Sequence, residues 1–259
     1  MKHKNNMNWI GLFTVYKKEM LRTKRVAFQT IVSPVITTAL YFVVFGSAIG
    51  GAVNTIGGVS YAQFIVPGLI MMALLQNSFA AASSGIYFPK WSGSIYELLS
   101  APLSYIEITA GYVLAATTRA LIIGAIILGV AAFFTPLPIQ HPFVALFFAV
   151  LVSFVFSLFG FVVGLWATTF EQFNIVPAFV IAPLSFLGGV FYSIEMLPPL
   201  WQTVTLFNPL VYMINGLRWS FYGITDVSIW WCIGITLAFT FILFGVVAWI
   251  FKTGYKLRK

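Results

Sequence analysis

The stretch from residue 176 to residue 223 constrains this chain most. Its first part is too apolar to lie in water, and its remainder contains too many prolines and polar residues to cross a bilayer as one helix. An uninterrupted membrane span needs about 20 apolar residues. After a glycine pair, this stretch instead meets, in order, Glu195, Pro198, Pro199, Asn208, Pro209 and Arg218. We therefore expect one span and then a re-entrant helical hairpin over residues 193–223. Backbone that leaves a helix at membrane depth must be covered by protein or line a water-filled cavity.

The composition agrees with a membrane protein. Of 259 residues, 60% are hydrophobic and only 8% are charged, which does not describe a soluble surface. The net charge of +8 could suggest nucleic acid, but 12 of the 14 Lys and Arg residues lie at three places beside apolar runs. That distribution is typical of membrane topology. The single cysteine, Cys232, allows neither a disulfide framework nor a thiolate metal cluster.

The apolar runs predict an all-α integral membrane protein with six transmembrane helices. The predicted spans are about 26–48, 61–87, 106–134, 143–169, 175–191 and 229–251. Basic residues precede the first span and follow the last, which predicts that both termini are cytoplasmic. The charge-free loops 49–60 and 135–142 fit the opposite side, and His141 is interpreted as an ordinary loop residue.

Residues 8–25 predict an amphipathic helix along the inner membrane surface. One face of this helix would carry Trp9, Leu12, Phe13, Tyr16 and Met20, and the opposite face Lys18 and Arg22. The simpler alternative is a basic segment that only anchors the first span.

The loop 88–105 between the second and third spans is polar and predicts a short helix. Ser94 and Glu97 have capping-box spacing, in which two side chains satisfy the free backbone donors of a helix start. Pro102 would end the helix after less than two turns. The alternative is an ordered cytoplasmic loop without a partner.

Arg119 lies near the middle of the third predicted span, and no acidic residue lies in the interior of a span to neutralise it. An intramembrane arginine is energetically costly and by default suggests a functional site. Two structural alternatives stay open: pairing with backbone carbonyls, or a tilted span that lets the guanidinium reach the interface. Near the hairpin ends, Glu195 and Arg218 could pair if the two arms run antiparallel, as a weak, water-exposed ion pair.

The sequence lacks the residues of several kinds of active site. It contains no G-x-x-x-x-G-K-[ST] phosphate loop, so ATP hydrolysis by that route would need a partner. Two histidines, one cysteine and six scattered acids assemble neither a metal cluster nor a nucleophile and base. We therefore predict no catalytic and no metal-binding residues in this chain.

Several motifs together resemble ABC-2 type transporter permeases, in particular the bacterial YadH-like and NodJ-like branch. These motifs are G-G-V-F-Y-S from Gly188, L-P-P from Leu197, Trp201, N-P-L-x-Y from Asn208, Arg218, F-I-V-P-G-L-I-M-M from Phe64, and E-L-L-x-A-P from Glu97. The resemblance covers nearly the whole chain. It is specific for the family and not for the cargo.

The resemblance implies a function and partners. Two copies of the chain would form the pathway of an exporter in a bacterial inner membrane, with their first and fifth spans face to face. Two cytoplasmic ATPase subunits would bind ATP and Mg²⁺, so this chain would need no cofactor. The implied ATPase contact is formed by Tyr96, Glu97, Leu98, Leu99 and Pro102.

The cargo expected from this resemblance is amphiphilic: a drug, a lipid or a glycolipid, moving within membrane lipid. Aromatic residues of the fifth span and the hairpin would then line the pathway or its outer gate: Phe179, Phe186, Phe191, Tyr192 and Trp201. Alternatively, these rings form an interfacial belt. The whole-protein alternative is a membrane scaffold that anchors a cytoplasmic partner without transport. A channel or secondary transporter ranks third, because acidic coupling sites are missing from the spans.

Overall fold

The computed structural model describes residues 7–46 and 55–253, and these are almost entirely helical. In chain order the helices are α1 (Trp9–Arg25), α2 (Ala27–Val44), α3 (Tyr61–Ser92), α4 (Ile95–Ser100), α5 (Tyr105–Phe134), α6 (Pro142–Trp166), α7 (Phe170–Val176), α8 (Ala182–Phe186), α9 (Pro199–Leu206), α10 (Pro209–Tyr222) and α11 (Ile229–Thr253). A small antiparallel hairpin, β1 (Thr55–Ile56) and β2 (Val59–Ser60), precedes α3. Its turn residues, Gly57 and Gly58, both have positive φ angles.

Five of these helices are long and apolar enough to cross a membrane: α2, α3, α5, α6 and α11. They match the first four and the sixth predicted spans, except that residues 47–48 lie outside the described residues. The predicted span 175–191 corresponds to a shorter apolar helix, Phe170–Phe186, which we call the interrupted helix. It is built from α7, a π-helical segment Pro177–Ile181, and α8.

The interrupted helix begins five residues before the predicted span, because Thr169 caps it. The Thr169 side chain accepts a hydrogen bond from the backbone N–H of Gln172, so residues 170–174, which separate the fourth and fifth predicted spans, are helical. The π-helical segment starts at Pro177, whose ring nitrogen cannot donate a backbone hydrogen bond. The helix ends before Gly189, which has a φ of 78°.

Helix α3 is the centre of the bundle and packs mainly against α5 and α6. Close approach to α6 depends on Gly160 and Gly164, one helical turn apart. A side chain at either glycine would collide with a backbone carbonyl of α3, at Phe79 or Ser83. Small residues at this spacing allow membrane helices to pack backbone to backbone. With 32 residues at about 1.5 Å each, α3 is about 48 Å long and separates two ends of the bundle.

These two ends carry different structures. One end, which we call the coupling end, holds the loop with α4 after α3. The other, which we call the hairpin end, holds β1, β2 and the segment 193–223. That segment contains a 3₁₀ turn (Ile194–Met196) and the short helices α9 and α10, of 8 and 14 residues. Neither helix is long enough to span a bilayer.

Helix α1 packs along α5 at the coupling end. Its inward face contains Val15, which fits against Gly111, and Glu19, whereas Trp9 and Phe13 are exposed. Arg22 lies opposite the exposed face that carries Trp9 and Phe13, as helical spacing predicts. Arg22 turns towards α3, where its guanidinium finds partners that sequence spacing does not reveal.

Candidate functional site

The predicted helix at the coupling end forms as α4, but its start is not the predicted capping box. The Ser94 side chain makes no cap hydrogen bond and instead lies 3.0 Å from the hydroxyl of Ser92. Tyr96 is 61% exposed, Glu97 is also exposed, and Leu98 packs partly against the core. The helix therefore presents polar and aromatic groups on the exposed surface of the coupling end.

The remaining two residues of the predicted ATPase contact are Pro102 and Leu99. Pro102 is exposed beyond the end of α4, as expected for a helix stop, and the side chain of Leu99 lies outside the described residues.

The actual capping box lies ten residues further on, at Ser104 and Glu107. Glu107 is 5% exposed and makes two strong hydrogen bonds. Its Oε2 accepts from the backbone N–H of Ser104 at 2.7 Å, and its Oε1 accepts from the backbone N–H of Asn8 at 2.5 Å. One carboxylate thus joins the end of the coupling loop to the start of α1.

A second contact reinforces this connection. The Asn8 side chain caps α1 by accepting from the backbone N–H of Gly11 at 2.9 Å, and its amide donates to the carbonyl oxygen of Pro102 at 3.4 Å. Sequence reasoning missed Glu107, although its spacing from Ser104 is the same S-x-x-E signal that was read at Ser94.

Further along α1, Glu19 and Arg22 form an ion pair packed against α3. The Arg22 Nε donates to Glu19 at 2.8 Å, and the guanidinium also donates to the Ala81 carbonyl at 3.1 Å and the Ser84 hydroxyl at 3.3 Å. Glu19 is 5% exposed, and burial raises the pKa of its carboxyl above the ordinary value, although Arg22 opposes the rise.

Arg119 lies near this ion pair, partly buried between α5 and α2. Its Nη2 donates to the Thr30 hydroxyl at 3.3 Å, and its Nε has no hydrogen-bond partner among the described residues. The hydrogen bond to Thr30 of α2 is the one hydrogen bond that the Arg119 side chain makes within the described residues. Whether this arginine has a functional role stays a prediction.

At the hairpin end, the fully buried Arg218 connects three segments of chain. It is 1% exposed and donates from Nη2 to the Gly189 carbonyl at 2.6 Å, at the break after the interrupted helix. Its Nη1 lies 4.0 Å from Asp226, in the loop before α11. The guanidinium carbon lies 3.9 Å from the ring centre of Phe64 in α3, a distance typical of a cation–π contact.

Asp226 completes this arrangement. Its carboxylate accepts from the Ser193 hydroxyl at 2.6 Å and from the backbone N–H of Ile194 at 3.1 Å. The expected pair of Glu195 and Arg218 does not form: the carboxylate nearest to Arg218 in the described chain is that of Asp226, and Glu195 is exposed. The water-exposed environment expected for Arg218 is also wrong, because α3 and α10 enclose it.

The structure brings together only some of the predicted pathway aromatics. Phe191 stacks on Phe186 with ring centres 5.7 Å apart, and on Phe45, directly after α2, at 4.5 Å. Tyr192 is half-buried. Phe179 is 76% exposed, Trp201 is also exposed, and neither forms a ring pair within the described residues. Phe186 and Phe191 therefore belong to one cluster next to α2, whereas Phe179 and Trp201 are exposed and lie outside that cluster.

No group of three or more His, Cys, Asp or Glu side chains in the described chain is placed to hold a metal ion. The arrangement instead offers a polar surface at the coupling end, connected to α1 and α3, and a buried charge network at the hairpin end. Neither site combines a nucleophile with a base.

Comparison with known proteins identifies relatives over nearly the full length. Residues 11–222 match the family described as ABC-2 type transporter. The chain is 42% identical to the inner membrane transport permease YadH of Escherichia coli K12 over 255 residues, covering 98% of this chain and 99% of that protein. It is 28% identical to nodulation protein J of Rhizobium leguminosarum bv. trifolii over 217 residues, covering 82% of this chain and 80% of the relative.

Proposed function

This chain belongs to the ABC-2 type transporter family, and from that premise we propose that it is the permease subunit of a bacterial inner-membrane exporter. Two copies would form the pathway, and two separate ATPase subunits would bind ATP and Mg²⁺ and drive it. The resemblance seen in the sequence motifs is confirmed by the family match. The partners, the direction of transport and the cargo are part of the proposal.

The observation that carries this proposal is the construction of the coupling end. A short helix, α4, exposes Tyr96 and Glu97 between two spanning helices, and Glu107 fixes the end of its loop to α1. Movement of an ATPase against α4 would therefore be transmitted directly to α1. Through Arg22, which bonds to Ala81 and Ser84, it would also reach α3 at the centre of the bundle.

Exposed apolar surface supports the proposed second copy. Phe28 and Leu40 in α2 and Phe179 in the interrupted helix are each more than half exposed. Facing helices from two copies could cover this surface, and lipid could cover the remainder. The cluster of Phe45, Phe186 and Phe191 lies next to α2, where it would offer an apolar wall to amphiphilic cargo.

For orientation, we propose that the coupling end faces the cytoplasm and the hairpin end faces outward, with both termini inside. The basic residues of α1 and Lys252 at the end of α11 favour this arrangement.

Co-purification of the ATPase tests the proposal. The chain is co-expressed with a candidate ATP-binding cassette subunit, and the complex is captured from detergent. Replacing Glu97 and Leu98 with alanine should reduce ATPase capture without reducing membrane insertion. Thr203→Ala, at an exposed position of the hairpin end, is the matched control.

The same preparation separates transport from scaffolding. ATP hydrolysis that changes when an amphiphile is added favours an exporter. A stable complex whose hydrolysis ignores amphiphiles would favour the membrane-scaffold alternative. Unchanged capture by the alanine variant would mean that α4 is not the ATPase contact.

A further inference from the structure

A cavity of about 350 Å³ lies at the hairpin end. The β1–β2 turn, the start of α3, the chain after the interrupted helix and the loop before α11 surround it. Five polar side chains line it: Ser193, Glu195, Arg218, Thr225 and Asp226. None of these residues belongs to the predicted pathway aromatics or to the coupling loop.

The charges around this cavity do not cancel. Arg218 and Asp226 neutralise each other at 4.0 Å, which leaves Glu195. Glu195 is exposed, and its carboxylate has no ion pair or hydrogen bond within the described part of the chain. The cavity therefore carries about one net negative charge at neutral pH.

The hydrogen-bonding groups that line the cavity also favour a positively charged ligand, because they are mainly acceptors. The hydroxyl protons of Ser193 and Thr225 are already used, on Asp226 and on the Val227 carbonyl, and each oxygen already accepts one backbone N–H, so each can only accept one further hydrogen bond. Two of the guanidinium nitrogens of Arg218 are engaged with Gly189 and Asn215, and the third, Nε, has no partner among the described residues but is fully buried and offers no donor to the cavity. Acceptors thus outnumber donors, and a complementary ligand must supply N–H or O–H groups together with positive charge.

From this charge and acceptor pattern, we infer that the cavity binds a primary ammonium group, with Glu195 as its counter-ion. Such a group carries one positive charge and three hydrogen-bond donors. Its source is either the headgroup of an aminophospholipid or an amine-bearing amphiphile. A divalent metal fits less well, because no cluster of three metal-ligating side chains exists among the described residues.

The inference rests on the proposed function only in assigning this cavity to the outer face of the membrane. Binding is measured on the full chain without an ATPase, whereas ATPase capture tests the proposed function. Either can therefore fail while the other stands.

The experiment counts bound lipid on the detergent-purified full chain by native mass spectrometry. Phosphatidylethanolamine, which has a primary ammonium, is compared with phosphatidylcholine, whose nitrogen has no N–H. We expect preferential retention of phosphatidylethanolamine, reduced about threefold to fivefold by Glu195→Gln, the size expected when one partly solvated ion pair is lost. Glu171→Gln, at an exposed acid of the coupling end, should leave retention unchanged.

Octylamine as a competitor distinguishes the two sources. Octylamine that displaces phosphatidylethanolamine, or binds with the same dependence on Glu195, identifies the amine itself as the ligand. Retention of the lipid that octylamine does not disturb identifies the phospholipid headgroup. Equal retention of the two lipids, or equal behaviour of the two glutamine variants, would overturn the inference. Because Glu195 is exposed, its substitution should not unfold the protein, and Glu195→Ala provides a second variant.

Discussion

The side chain of Arg218 in α10 donates a 2.6 Å hydrogen bond to the carbonyl oxygen of Gly189, twenty-nine residues earlier in the chain. Gly189 lies just after the interrupted helix, where helical hydrogen bonding stops and a carbonyl is left without its usual donor. Arg218 supplies that donor from a buried position. The break in the interrupted helix and the hairpin that follows it are therefore stabilised together.

The Arg218 and Asp226 pair predicts unequal effects of removing either partner. Asp226→Ala leaves the buried arginine without a carboxylate and should lower the free energy of unfolding by about 3 to 5 kcal/mol. Arg218→Met should cost less, because Asp226 keeps its hydrogen bonds from Ser193 and Ile194. Unfolding of each variant in detergent measures the difference. A larger loss from Arg218→Met would contradict the assigned roles.

The two hydrogen bonds of Glu107 predict that this residue holds α1 in place. Glu107→Gln can still accept one of them, but its NH₂ group cannot accept the other, so we expect a loss of about 1.5 to 3 kcal/mol in docking free energy. Faster trypsin cleavage after Lys17 and Lys18, both exposed in α1, would report this change. Glu97→Gln is the control and should not change the cleavage rate. Equal rates in the two variants would mean that Glu107 does not restrain α1.

Glu19 predicts a pH-dependent contribution to stability. Burial raises the pKa of its carboxyl in the folded protein above the ordinary value of a glutamic acid, so the folded state binds the proton more tightly than the unfolded state. Stability from this group is therefore present below that value and is lost as pH rises through the folded pKa. The melting temperature of the wild type minus that of Glu19→Gln should increase as pH falls through this window. A difference independent of pH would contradict the assignment.

Arg119 and Thr30 predict a coupled pair across α5 and α2. Arg119→Leu removes a costly intramembrane charge, so the protein should still fold, but the hydrogen bond to α2 is lost. If that contact transmits movement, both Arg119→Leu and Thr30→Val should lower amphiphile-stimulated ATP hydrolysis to a similar extent. Wild-type stimulation in both variants would leave Arg119 with a structural role only.

The sequence predicts the fold better than the contacts within it. Apolar length predicts five long helices, because a span must satisfy its own backbone hydrogen bonds and reveals itself by composition. Proline and glycine predict where the interrupted helix and the hairpin break. The partner of Arg218 could not be predicted, because Asp226 reaches it only after the loop before α11 folds back. Likewise, helical spacing places Arg22 opposite the apolar face, but only the packing of α1 against α3 provides partners for that side.

The last prediction concerns the orientation of the two ends of the bundle. Cysteine probes must be exposed, and Ser193 and Ser220 are both buried, so neither suits the test. Ser228, before α11 at the hairpin end, and Ser100, at the end of α4, are both exposed. In a Cys232→Ala background, Ser228→Cys should react with an impermeant thiol reagent in intact cells, whereas Ser100→Cys should react only after lysis. Ser220→Cys should resist the reagent under both conditions while the protein stays folded. Labelling of Ser228→Cys only after lysis would place the hairpin end inside the cell, and the proposed cytoplasmic contact at α4 would then be excluded.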